Sequence, residues 1–403
     1  MIGGFVLALM ALLAGCGSKG ERASSASGDS LVLGASLSLT GKLAREGLLT
    51  REGYELCKQV VNEKGGVPVG DRKYRLEIRY QDDTSKPDTA GQLVEQFNDR
   101  GVKLILGPYG SATTEAAAAV VERTGQVMVD SAGADDKIFE KGYTRTFAVL
   151  SPATKYAATI VMAIAESAQP KPSTIAFLSA DDGFSKTVTK GGIAEAEKQG
   201  MTVVATEYFP NGASDVSSSL TKVKAKHPDV IIGSVHLVEG LAIIKQAKEL
   251  GIVPRGGFGE TVAPPTPDFV KTLGRQAENV LGSTQWTPKV AGSDKWFGTA
   301  QDYVKVFQAK YLHVPEYHNA EATAACLTFA LGAEKAGSTD ANKIRDAIAG
   351  LDTPSFFGQL AFDKTGKNLV KSMPVIQIQK GKPVTVWPTD LAEAKLVWPG
   401  AAS

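Results

Sequence analysis

From residue 31 onward the sequence alternates between short apolar runs of strand length and longer segments with helical spacing. Leu31-Val32-Leu33-Gly34-Ala35-Ser36-Leu37 reads as a buried strand, 50–64 as a helix and 74–80 as an alternating strand. An amphipathic stretch at 88–100 precedes the strand Val102-Lys103-Leu104-Ile105-Leu106, which stops at Gly107-Pro108; an Ala-rich helix at 114–124 precedes the strand 127–129. The rhythm continues through helices at 153–168, 186–198, 216–226 and 238–250, with strands at 174–178, 202–208 and 230–232. Strands alternating with helices of this length build βαβ units and parallel sheets rather than a sandwich. No repeat period points to a solenoid. One sheet would be too wide for so many strands, so the expected fold is α/β, with two doubly wound parallel-sheet lobes.

The expected boundaries are a leader at 1–15, a tether at 16–30, a first lobe at 31–150 and 284–360, a second lobe at 151–283 and 361–390, and a tail at 391–403. Three crossovers are placed near 150–152, 283–287 and 358–371. Long helices at 296–311 and 321–336 would pack back on the first lobe, and the aperiodic Gly/Pro-rich run 254–267 reads as a rim loop. In such folds a ligand sits beyond the carboxyl ends of the strands, in the crevice between lobes.

With 44 Lys+Arg against 43 Asp+Glu, the net charge of +1 argues against a nucleic-acid binder held by electrostatics. Phe5 to Leu13 is an apolar run far short of the ~20 residues that span a membrane, but of the length of a signal-peptide core. Leu13-Ala14-Gly15-Cys16 resembles a bacterial lipobox, which implies lipid on Cys16 and a mature chain in the periplasm or at the cell surface, held to a bacterial membrane. Met1 to Gly4 lacks the expected basic residue, so a start codon further upstream is expected. Gly17 to Ser30 is small, polar and unpatterned, a tether of at most roughly 50 Å.

Catalytic signatures are missing: the sequence holds no G-x-S-x-G, H-E-x-x-H or G-x-x-x-x-G-K-[ST], and no G-x-G-x-x-G from residue 31 onward. No enzyme, cofactor or metal is expected. His227, His236, His313 and His318 show no metal spacing, and the last two read as a loop pair around Pro315. The doublets Asp82-Asp83, Asp135-Asp136 and Asp181-Asp182 follow strands and read as turn and capping residues, with Asp135-Asp136 also on the rim of the crevice. Cys57 and Cys326 fall on helices of the first lobe; two buried free thiols are favoured over a disulfide.

Ser38-Leu39-Thr40-Gly41, Val61-Asn62-Glu63-Lys64-Gly65-Gly66-Val67 and Tyr80-Gln81-Asp82-Asp83-Thr84-Ser85-Lys86-Pro87 are similar to the opening of periplasmic leucine/isoleucine/valine-binding proteins. Ile105-Leu106-Gly107-Pro108-Tyr109-Gly110-Ser111 and Lys245-Gln246-Ala247-Lys248-Glu249-Leu250-Gly251 continue the resemblance, which keeps its order from about residue 31 to about 385. It implies the type I periplasmic-binding fold, a Venus flytrap with three crossovers. It also implies a monomer that hands an amino acid or amide-like ligand to the permease subunits of an ABC importer. The alternatives are a receptor of the same fold coupled to a signalling protein, or a binder of aromatic or organic acids.

The resemblance also maps a site. Ser111 corresponds to the Ser that binds the ligand carboxylate, at a helix start where Gly110 and backbone N–H groups can help. Further carboxylate contacts fall on Ser131-Ala132-Gly133-Ala134, where Ala134 replaces a common Thr. Glu260 corresponds to the acid that pairs with the ligand ammonium. Phe184 and His236 stand where tyrosines are usual, and Glu46 where an aromatic is common. Tyr109 and Trp286 are the expected apolar walls.

Overall fold

The structure, a computed structural model, describes residues 29–398. The leader and Cys16 lie outside the described residues. The first lobe runs β1 (Ser30–Leu37), α1 (Ala44–Glu63), β2 (Val67–Val69), β3 (Arg72–Asp82), α2 (Pro87–Asp99), β4 (Leu104–Leu106), α3 (Ser111–Thr124), β5 (Val127–Asp130), α4 (Asp136–Phe139) and β6 (Thr146–Ala148). Its six strands are ordered β2-β3-β1-β4-β5-β6, parallel except for the edge strand β2. Runs such as Leu104-Ile105-Leu106 are buried throughout, as strands covered by helices on both faces must be.

The second lobe runs α5 (Thr154–Ser167), β7 (Thr174–Ala180), α6 (Gly183–Lys198), β8 (Thr202–Phe209), α7 (Ser217–Lys224), β9 (Val230–Ser234), α8 (Leu237–Glu249), β10 (Phe258–Glu260), α9 (Pro267–Leu273) and β11 (Leu281–Ser283). Then come β12 (Ser293–Asp294), β13 (Gly298–Thr299), α10 (Ala300–Tyr311), α11 (Tyr317–Ala336), α12 (Ala341–Ala349) and the hairpin β14 (Asp352–Ser355)/β15 (Gly358–Ala361). The strands β16 (Val375–Gln379) and β17 (Lys382–Trp387) return to the second sheet, ordered β17-β16-β11-β10-β9-β7-β8. The tail follows that lobe: Val397 N–H donates to Gln377 Oε1 at 2.9 Å and Trp398 Nε1–H to the Pro170 carbonyl at 3.0 Å.

Three features differ from the sequence reading. The run 254–267 is not a loop throughout: β10 lies at the centre of the second sheet, parallel to β9 and β11. Three residues between glycines and prolines are too few to show a period. His318 belongs to the buried first turn of α11 rather than to a loop. Cys57 and Cys326 form a disulfide, with their Cα atoms 6.2 Å apart, in place of two free thiols. Helices α1 and α11 pack along each other, which brings two fully buried sulfurs from positions 269 residues apart into contact.

The chain passes between the sheets after β6, after β11 and before β16, and side chains bond the three passages together. Ser151 N–H donates to Gln285 Oε1 at 2.9 Å, and Gln285 Nε2–H to the Ser151 carbonyl at 3.0 Å. Ser151 Oγ–H donates to the Lys371 carbonyl at 3.2 Å. The Lys371 ammonium donates to the Gln285 carbonyl and, at 3.2 Å, to that of Ser372, 4.3 Å from the centre of the Phe357 ring. Burial pulls the Lys371 amine down to about 7 against the opposing effect of the Glu321 carboxylate.

Candidate functional site in the interlobe cleft

A cavity of about 170 Å³ lies between the strand-end loops of the two lobes. Leu43, Gly110, Ser111 and Asp135 line it from the first lobe, and Phe184, Asn211 and His236 from the second. Gly110 caps α3 with φ +90, a left-handed conformation that side chains rarely adopt. That turn aims the first N–H groups of α3, which have no acceptor within the helix, at the cavity edge. Ser111 Oγ accepts the Asp135 N–H at 3.1 Å, so its own O–H remains as a donor. The free N–H groups and the dipole of this helix start suit an anion.

The neighbouring loop contributes less than its sequence suggests. The N–H groups of Ala132 and Gly133 both donate to Asp130 Oδ1, at 3.0 and 2.8 Å, and the Ala134 carbonyl accepts from Ala153. Burial raises the Asp130 carboxyl to about 6 against those donations. Gly133 and Ala134 therefore shape the loop, but the Gly133 N–H is already engaged.

Two aromatic rings, Phe184 and His236, line the cavity; Tyr109, Glu46, Gly133, Ala134 and Glu260, all expected at the site, are not among its lining residues. Phe184, in the first turn of α6, lies between Tyr156 and His236, with ring centres 5.3 and 5.2 Å away. Tyr109 is buried with its ring 5.3 Å from His318, which stacks on Tyr317 at 4.0 Å. Burial and the carboxylates of Glu46 and Glu321 push the Tyr109 hydroxyl well up. Glu46, in the first turn of α1, is 3% exposed and makes no salt bridge among the described residues. Trp286 is elsewhere: its indole N–H donates to the Phe356 carbonyl at 2.9 Å and its ring packs edge-on against Tyr303, in the aromatic core of the first lobe.

Glu260 ends β10 and is completely buried, with neither carboxylate oxygen hydrogen-bonded among the described residues. Burial first, then the nearby Glu239 carboxylate, holds its carboxyl well above the ordinary range. An unpaired buried acid costs stability unless it stays protonated or meets a cation. His236 Nδ1 and Ser283 Oγ of this lobe are also buried without hydrogen-bond partners among the described residues. Sequence reasoning did not place Asp182 or Asn211 at the cavity, which both line; Tyr156, Tyr317, His318 and Glu239 lie near its residues without lining it. An acid in the first turn of α8 gives no signal beyond ordinary helix chemistry.

Polar contacts close the lobes on each other. Arg45 pairs with Asp268, Lys42 Nζ donates to Asn211 Oδ1 at 3.1 Å, and Thr187 Oγ1–H donates to Asp135 Oδ1 at 2.8 Å. Among the described residues no cluster of three or more His, Cys, Asp or Glu side chains could hold a metal, and no helix is long and apolar enough to cross a membrane.

Residues 30–383 match the sequence profile of the family described as periplasmic binding protein. The chain belongs to that family. The Leu/Ile/Val-binding protein homolog 8 of Brucella abortus (strain 2308) is 26% identical over 366 residues, covering 85% of this chain and 87% of the relative. The substrate-binding protein LivJ of Streptococcus pneumoniae, solved with isoleucine, superposes with a TM-score of 0.77 at 22% identity, over 88% of this chain and 98% of LivJ. A solute-binding protein of an ABC transporter from R. palustris, solved with benzoate, gives 0.73 at 18% identity, over 89% and 95%. At these identities the structures establish the fold: the type I periplasmic-binding fold of two α/β lobes.

Proposed function

We propose that this chain is an extracytoplasmic solute receptor, a monomer held to a bacterial membrane by lipid on Cys16. It binds an amino acid or related amide-like molecule in the cleft and delivers it to the permease subunits of an ABC importer. The observation that carries this reading is a donor-rich helix start at the cavity, with an unpartnered acid buried in the other lobe. The α3 start with Ser111 is an anion site in the first lobe, and Glu260 is a buried carboxyl without a partner in the second. A ligand carrying both a carboxylate and an ammonium complements them. Membership of the periplasmic binding family and the Leu/Ile/Val-binding names of relatives agree with it.

A second reading, an aromatic or organic acid, is favoured by the Phe184 and His236 rings that line the cavity and by the benzoate complex of a structural neighbour. A thermal-shift screen of amino acids, amides, ureas and aromatic acids separates the two. A ligand at a hundred times its dissociation constant adds about 2.7 kcal/mol of stability. Stabilisation by zwitterions supports the first reading. A response confined to aromatic acids replaces it with the second, and no response across the panel overturns both.

A further inference from the structure

Three acids line the cavity between the lobes: Glu115, Asp135 and Asp182. Two of them are already matched. Glu115 is ion-paired with Lys141. Asp182 accepts the Ser185 N–H at 2.9 Å on one oxygen, and the Ser185 hydroxyl at 3.0 Å and an Asn211 Nδ2–H at 2.9 Å on the other. Asp135 is different. Its Oδ1 accepts the Lys137 N–H at 3.2 Å and the Thr187 hydroxyl at 2.8 Å, whereas its Oδ2 has no hydrogen bond or ion pair among the described residues.

That bare oxygen faces the cleft. Asp135 is only 5% exposed, and Gly183, a cavity residue of the second lobe, lies directly opposite. A Cβ built on Gly183 would meet Asp135 Oδ2 at 2.8 Å, and nothing else within 4 Å beyond its own neighbours in the chain. A carboxylate so enclosed, with no cation beside it, lacks a donor. Asp135 is also joined to the proposed carboxylate end, since its own N–H is donated to Ser111 Oγ at 3.1 Å.

We propose that Asp135 binds the α-ammonium of the ligand and makes the cleft select α-amino acids over the matching carboxylic acids. An α-amino acid carries its ammonium on the carbon next to its carboxylate. With the carboxylate at the start of α3, the ammonium lies beside the residue bonded to Ser111. Closure brings α6, with Thr187 and Gly183, over the pair, and excluding water strengthens it. This rests on the zwitterionic reading of the ligand and gives the amine a partner within the cavity lining, to which Glu260 does not belong. An ammonium has three N–H donors, so a bond to Asp135 leaves two for other acceptors.

The test is calorimetry on the full chain with L-isoleucine, L-phenylalanine and L-glutamine, each against its des-amino acid (3-methylpentanoate, 3-phenylpropanoate and 4-carbamoylbutanoate). Asp135→Asn keeps an oxygen for the Thr187 hydroxyl and the Lys137 N–H, and Asn caps a helix as well as Asp does. The affinity of the amino acid that wild type binds should fall roughly thirtyfold or more, with the melting temperature of the empty protein unchanged. Its des-amino acid should change less than about threefold, or bind more tightly. Equal losses for the two would make Asp135 a prop for Ser111 and Thr187, and no loss would leave the amine elsewhere; either overturns the proposal. Should Asp135→Asn fail to fold, Gly183→Ala crowds the same oxygen and should likewise penalise the amino acid more than its des-amino acid, equal penalties again overturning the proposal. If wild type binds none of the amino acids, the zwitterionic reading falls and this assignment falls with it.

Discussion

Thr187 on α6 of the second lobe donates its hydroxyl to Asp135 of the first at 2.8 Å, while the Asp135 N–H is donated to Ser111 Oγ at 3.1 Å. The contact that closes the cleft is therefore one residue from the proposed carboxylate end of the ligand. The contact between the lobes and the proposed anion site therefore share Asp135.

Replacing Thr187 by Val keeps the shape of the side chain and removes this donor. The closed state should lose about 1 kcal/mol, and affinity should fall roughly fivefold through a faster off-rate. The Arg45–Asp268 pair is partly exposed, with side chains 41% and 29% accessible, so Arg45→Met should cost less, under about 1 kcal/mol, and the difference should fade at high salt. Stopped-flow dissociation at two salt concentrations tests both. Equal, salt-independent losses would mean that closure does not run through these contacts.

The Cys57–Cys326 disulfide joins α1 to α11 inside the first lobe. Reducing it, or replacing both residues by Ala, should lower stability by about 2–5 kcal/mol. The cleft residues lie on other turns, so ligand affinity should stay within a few fold. Denaturant unfolding with and without reductant measures the first, and calorimetry the second.

That disulfide marks the limit of what the sequence makes legible. The βαβ rhythm is readable because Leu31 to Leu37, Leu104 to Leu106 and the helices between them follow their periods over many residues. Pairing across 269 positions leaves no local signal, and cysteine spacing does not state connectivity. β10 is hidden for the opposite reason: Phe258-Gly259-Glu260 is a strand only because β9 and β11 flank it. Of the two residues proposed for the ligand's ends, Ser111 lines the cavity and Glu260 does not. The first is placed by the left-handed turn at Gly110, the second by its position at the end of a strand. Trp286 shows how residue type alone misleads. Its indole N–H has an acceptor on Phe356, so the ring completes the core of the first lobe rather than the cavity wall.

Lys371 gives the hinge a pH signature. Burial brings its amine down to about 7 in the folded protein, from the ordinary 10.5 of an open chain. The unfolded chain therefore holds one more proton between those values, and stability should rise with pH from about 7 towards 10. Lys371→Met should flatten that slope. Denaturant titrations at pH 6.5, 8 and 9.5 on both proteins test it, and a slope that persists unchanged in the variant would assign it to other groups.

Ser111 and Glu260 should respond differently when the empty and occupied proteins are compared. Ser111→Ala removes one donor to a carboxylate that keeps the backbone N–H groups of α3, a loss of about 1–2 kcal/mol in affinity with little change in the empty protein. Glu260→Gln acts on both states. The folded-state pKa of Glu260 is raised, so its favourable contribution is complete only below the unfolded carboxyl value and is lost as pH rises through the folded one. At neutral pH the substitution should therefore stabilise the empty receptor, since a neutral amide replaces an acid that has no partner. The same change leaves a ligand ammonium unpaired in a closed cleft, at roughly 3–5 kcal/mol. A higher melting temperature without ligand, together with affinity lower by orders of magnitude, is the expected pattern for Glu260→Gln. If the empty variant melts lower than wild type, Glu260 has a structural partner; if its affinity is unchanged, the ligand brings no cation to this end of the cleft.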